Sequence, residues 1–190
     1  DHARLLWAFD DKGSEYHTIR VRDLATGQEI SDTVIETAGG GVWAAGSDGF
    51  FYTRLDDNHR PSKVFFHRIG DDPGSDHLVF EESNPALFVD VGGSRLNDWI
   101  LIQVNDHETT EYRLLPASDP LAEPVVVQQR EEGVQYDLSP GGDEFYILTN
   151  ADGAKDFKVM PAPAATPGKA NWREIVPHEP GRLILSVMAF

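Results

Sequence analysis

Short runs of aromatic and aliphatic residues separated by polar turns recur along all 190 residues, and their alternation follows the two-residue period of strands, not the 3.6-residue period of a helix. Four of them, 5–10 (LLWAFD), 50–55 (FFYTRL), 98–104 (DWILIQV) and 143–150 (DEFYILTN), return about every 46 residues. A second set follows each after a turn, at 16–24, 62–70, 110–117 and 156–163. A third set lies at 28–36, 77–82, 123–129 and 172–177, and a fourth at 40–45, 86–93, 133–140 and 183–190.

Four short strands per unit of about 40–50 residues is the arithmetic of a propeller blade, a twisted antiparallel sheet that packs face to face with its neighbours. The predicted class is therefore all-β, a partial β-propeller of about four blades. Repeat units run over roughly 1–39, 40–85, 86–132 and 133–182, and 183–190 is the first strand of a next blade. Taking the fourth set as the innermost strands leaves the chain beginning and ending within a blade. An open arc belonging to a larger propeller is favoured over a small closed ring, and blade edges left exposed invite self-association with another copy of the chain.

Turn chemistry agrees. The segments 10–15 (DDKGSE), 23–28 (DLATGQ) and 139–144 (SPGGDE) carry the Asp and Gly that close hairpins. Pro61, Pro73, Pro85, Pro116, Pro120, Pro124 and Pro140 fall between strands or at their margins, where a missing N–H costs no ladder bond. No stretch holds a helical period for more than two turns, so an α/β hydrolase domain is not expected within these residues.

Charge narrows the partners. With 32 Asp and Glu against 16 Lys and Arg, the net charge is −16, a field that repels phosphate backbones and anionic lipid. Nucleic acid and membrane are thus not expected as partners. The absence of Cys excludes a disulfide framework, a thiolate nucleophile and thiolate metal sites. No apolar run approaches the roughly 20 residues that cross a bilayer. The first residues, which lack an initiating Met, lead straight into a strand, which reads as a chain that starts inside a longer protein.

The search for reactive groups returns turn formers. Gly46-Ser47-Asp48-Gly49 and Gly93-Ser94-Arg95 approach the Gly-x-Ser-x-Gly of serine hydrolases but sit in strand-to-strand turns with no helix following. The seven His are not paired at zinc-ligand spacing, and His67 reads as a packed or edge residue on a strand. Acidic turns at 10–15 and 150–153 lack the alternating oxygens of a calcium loop. Adjacent carboxylates such as Asp56–Asp57 and Glu81–Glu82 point to opposite faces of a strand, which suits solvation or the lining of a channel. No catalytic residue, cofactor site or metal site is expected.

Residues 43–82 are similar to the propeller of the oligopeptidase B branch of the prolyl oligopeptidase family. The likeness rests on Trp43, Phe51 and Tyr52, the acidic loop Asp56 to Pro61, His67 and Gly70, and then Asp76, Leu78, Val79, Glu81 and Glu82. It extends through 106–115, 130–159 and 171–179, with no single motif carrying it. The resemblance implies a parent serine peptidase in which a seven-bladed propeller caps an α/β hydrolase domain with a Ser, Asp, His triad. It implies cleavage of short peptides after Arg or Lys, a cytoplasmic location, and a propeller that gates access of basic oligopeptides and packs on the hydrolase domain. This chain then holds no triad and no activity alone. Asp10 and Glu15 on one hairpin, with Asp56, Asp57 and Arg60 on another, are the candidates for contact with that domain or the substrate path, and are also suited to plain turn formation. The alternatives are a free-standing propeller that binds proteins and a dipeptidyl peptidase propeller.

Overall fold

A computed structural model describes residues 2–189. Its strands are β1 (Arg4–Phe9), β2 (His17–Asp23), β3 (Glu29–Thr37), β4 (Val42–Trp43), β5 (Gly49–Leu55), β6 (Pro61–Arg68), β7 (His77–Glu81), β8 (Phe88–Gly93), β9 (Trp99–Asn105), β10 (Thr110–Pro116), β11 (Val125–Gln128), β12 (Tyr136–Gly141), β13 (Glu144–Thr149) and β14 (Lys158–Pro163). Every named pairing is antiparallel between chain neighbours or near neighbours. Blade I is β1–β2–β3, blade II β4–β7, blade III β8–β11 and blade IV β12–β14. The described residues contain only short 3₁₀ turns besides strands.

Period-2 alternation assigns each side chain to one of three inter-blade cores. On β5, Phe50 and Tyr52 face blade I and join Ile19, Val21 and Val34. Phe51 between them faces blade III, with Val64 and Phe66 of its own blade against Val89, Ile100 and Ile102. Leu101 turns the other way again and meets Tyr136, Leu138, Phe145 and Ile147 of blade IV. A middle blade buries both faces, so its second strand is a continuous apolar run and not an alternating one. Among the described residues no apolar core joins blade IV back to blade I.

Several sequence expectations are corrected. Blades I and II are not separate sheets: Thr37 at the end of β3 pairs with Arg54 of β5, and Ala38 N–H donates to Thr53 O. The innermost strand β4 shrinks to two residues because Gly39 and Gly40 precede it at φ of +87° and +82°, left-handed backbone that interrupts a ladder.

The expected outer strand of blade IV, 172–177, is reduced to an isolated bridge, Val159 to Val176. Val159 donates outward to Val176 O, so the residues of the same phase on β14, Pro161 and Pro163, are the ones whose outward N–H is missing. Their carbonyls accept Arg173 N–H at Pro161 and Thr166 N–H, from the turn that follows, at Pro163. Prolines thus sit within strands as well as at their margins, Pro140 in β12 included. The strand expected over 183–190 is not formed among the described residues; Ile184 N–H donates to Asp156 O and Ala189 N–H to Ser139 Oγ, with no strand alongside.

Candidate functional site

The β1–β2, β5–β6, β9–β10 and β13–β14 hairpins emerge on one face, and the first three are each closed by an aspartate. In blade I, Asp10 Oδ1 accepts Lys12 N–H at 2.9 Å and Oδ2 accepts Glu15 N–H at 2.7 Å. The Lys12 N–H, ahead of those of Glu15, Gly13 and Ser14, holds the Asp10 carboxyl below the usual carboxylate range. In blade II, Asp56 Oδ1 accepts from Asn58 and Arg60 N–H. Partial burial opposes ionisation there but is outweighed by those N–H groups and the Arg60 guanidinium, so this carboxyl too is held low. Asp106 accepts Glu108 and Thr109 N–H in blade III, whereas in blade IV Asn150 Oδ1 accepts Gln135 N–H from the segment ahead of β12.

All five sequence candidates lie on this rim, and the structure brings the two hairpins together. Tyr16 Oη donates to Asp56 O at 3.2 Å, and its ring lies 4.2 Å from that of His59. Glu15, at φ of +63°, and Asp57 are exposed. Asp10, Asp56 and Arg60 are turned into the protein instead. Arg60 Nε donates to Asp56 Oδ2 at 3.0 Å, and its Nη1 donates to Asn84 O at 2.9 Å and Leu87 O at 2.8 Å. It thereby pins the hairpin to the passage into blade III.

Sequence reasoning missed the polar links between blades. Glu82, read as solvating, is 5% exposed; it takes Arg130 Nη1 at 2.6 Å and Asn84 N–H at 2.8 Å, joining blades II and III. Its burial disfavours the charged form, but Arg130 holds its carboxyl below the usual range. Between blades III and IV, Tyr136 Oη accepts Tyr112 N–H and donates to Gln128 O, both at 2.7 Å, while Tyr112 Oη donates to Asp137. Burial pushes both phenols up. Between blades I and II, His67 is fully buried, with Nδ1 at 2.7 Å from Asp76 Oδ1 and Nε2 at 3.1 Å from Asp32 Oδ2.

At the other end of the strands, a cleft of about 640 Å³ is lined by Arg4, Trp43, Ser47, Ser94 and Arg95 among others, so the acidic surplus is not uniform. Ser94 is a turn former whose Oγ accepts Asp98 and Trp99 N–H. Among the described residues no group of three or more His, Asp and Glu is arranged to hold a metal ion, and no helix is long and apolar enough to cross a membrane.

The model of the prolyl oligopeptidase N-terminal β-propeller domain matches residues 1–190. This chain belongs to that family. It is 34% identical over 179 residues to dipeptidyl aminopeptidase BI of Pseudoxanthomonas mexicana, covering 94% of this chain and 25% of the relative. Against protease 2 of Moraxella lacunata it is 32% identical over 165 residues, 86% of this chain and 24% of the relative. The solved structure of oligopeptidase B from Leishmania major superposes with a TM-score of 0.88 at 30% identity, covering 94% of this chain and 25% of that one. The chain therefore spans about a quarter of the length of its relatives. The family's members are serine peptidases, and the matched region is their non-catalytic propeller.

Proposed function

We propose that this chain is the propeller wall of an oligopeptidase B-type enzyme that cleaves short peptides after Arg or Lys in the cytoplasm. Its hairpin rim is the face that packs on the α/β hydrolase domain and admits substrate. The observation that carries this reading is the gathering of Asp10, Glu15, Asp56, Asp57 and Arg60 on one face. There Arg60 and Asp56 stiffen the loops, while Glu15 and Asp57 stay exposed as negative charge. A carboxylate-rich approach attracts cationic peptides and raises their local concentration. Polar belts between blades suit a wall that must hold its shape while a neighbouring domain moves.

A second reading is favoured by the 34% identity to dipeptidyl aminopeptidase BI, namely an exopeptidase that removes dipeptides from free amino termini. The whole protein, assayed on peptides with blocked amino termini and Arg, Lys or neutral residues before the scissile bond, separates the two. Cleavage after Arg and Lys is expected, with KM raised by removing charge at Glu15 and Asp57 together. Release of dipeptides from free amino termini alone would establish the second reading, and turnover by residues 1–190 alone would overturn both.

A further inference from the structure

The three inter-blade contacts are built differently. Blades II and III share a core of twelve buried apolar residues, and blades III and IV share nine. Blades I and II share five among the described residues, with Leu6, Ile30, Trp43 and Phe65 partly buried against them, and beside the short β3–β5 pairing their contact includes a buried charge cluster. Asp32 on β3 of blade I is 5% exposed and occupies an inward position between Ile30 and Val34. Its Oδ2 accepts Gly70 N–H at 2.6 Å and meets His67 Nε2. From the turn before β7, Asp76 Oδ1 meets His67 Nδ1, and its Oδ2 accepts from Tyr52 Oη at 2.9 Å. Arg54 on β5 donates to Tyr52 Oη at 3.0 Å. The Phe50 ring lies 5.1 Å from the imidazole. Outside Asp76, a solvent-open cavity is lined by Arg68, Asp71 and His77, and Arg68 is turned toward Asp48.

The geometry points to a proton-dependent latch between blades I and II, whose bolt is the doubly protonated imidazole of His67. Both ring nitrogens face carboxylate oxygens, so only the imidazolium donates at both ends. Two carboxylates, one guanidinium and one imidazolium sum to zero, whereas a neutral ring leaves an uncompensated negative charge in a dry site. Losing the proton also leaves Asp32 of one blade and Asp76 of the next without the cation between them. The smallest set of buried apolar residues in the arc and the short β3–β5 pairing then hold that junction, so this is where the wall loosens sideways.

Burial of the ring opposes its charged form, but hydrogen bonds and attraction from Asp76 and Asp32 outweigh it and raise the His67 pKa above the ordinary 6.5. The sign follows from linkage. With the folded pKa above the unfolded one, the latch is fully closed below about 6.5 and opens as pH rises through the folded value.

Hydrogen exchange of the intact protein, corrected for the intrinsic pH dependence of exchange and followed from about pH 6 to about pH 9 across the imidazole range, reads the latch directly. Peptides spanning 29–37 and 67–76 are expected to gain opening by about tenfold for each pH unit between about 6.5 and the folded pKa and to level off above it, while 99–105 and 136–149 keep their protection. His67→Gln is expected to show the open pattern already at the acidic end, with no further pH response at this junction. Asp32→Asn retains the imidazole with one carboxylate fewer and is expected to open at lower pH than the parent, which keeps the test decisive if His67→Gln fails to fold. Equal pH response at all three junctions, or an unchanged response in Asp32→Asn, would overturn the latch.

Discussion

Replacing Arg60 by Ala probes the rim most sharply. The side chain is 13% exposed and donates to two carbonyls of the passage into blade III, at 2.9 Å to Asn84 and 2.8 Å to Leu87. Hydrogen bonds from a charged donor contribute about 1.5 kcal/mol each when the acceptor has no other partner. Leu87 is buried and its carbonyl loses its donor outright, whereas Asn84 is exposed and regains water. The ion pair to Asp56 is partly solvated and adds roughly 0.5 kcal/mol. The expected loss is therefore about 2–3 kcal/mol, or roughly 4–12 °C in Tm for a chain of this size. Thermal melts followed by circular dichroism measure it. Arg60→Lys keeps the charge but cannot hold Asp56 through Nε and the carbonyls of Asn84 and Leu87 through Nη1 at once, so it is expected to recover no more than about a third of the loss. A melting point for Arg60→Ala within about 1 °C of the parent, or full recovery by Lys, would refute the reasoning that this guanidinium ties the rim together.

Other consequences follow from single side chains. Phe51, fully buried and 5.0 Å from the Phe66 ring between blades II and III, is expected to cost about 3–5 kcal/mol when truncated to Ala, measured by urea unfolding. Tyr136→Phe removes one hydroxyl that both accepts Tyr112 N–H and donates to Gln128 O; a loss of about 2 kcal/mol is expected in the same assay. Gly49→Ala places a Cβ 2.4 Å from His67 O and from the Phe66 ring, so a destabilisation of about 2 kcal/mol or more is expected. The carboxyls of Asp10, Asp56 and Asp106 are all held below their ordinary value of 3.8. Their support of the hairpins is complete above that pH and is lost as pH falls through the lowered values, which an acid titration of Lys12, Asn58 and Glu108 amide exchange detects.

How much of this was legible in the sequence depends on whether the signal was local. Phe50, Phe51 and Tyr52 form an unbroken apolar run because a blade in mid-arc is covered on both faces, and the run marks β5 without any long-range information. The Asp10 and Asp56 turns are equally local, since each carboxylate bonds N–H groups within five residues. The inter-blade links are not. His67 and Asp32 are 35 residues apart and Glu82 and Arg130 are 48 apart, distances over which a single sequence carries no pairing signal. What the pattern did hold was phase: Asp32 shares the inward register of Ile30 and Val34, and His67 that of Phe65. A charged residue in an apolar register marks a buried partner without naming it. The missing outer strand of blade IV was likewise written in the phase of Pro161 and Pro163, and not in their mere presence.

The central claim is that the hairpin rim, and not the opposite end of the strands, faces the peptidase domain of the whole protein. Hydrogen exchange of the intact enzyme compared with residues 1–190 alone tests it. The account predicts added protection at 11–16 and 57–60 in the intact enzyme, with 44–48 and 94–98 unchanged. Protection confined to 44–48 and 94–98 would contradict it.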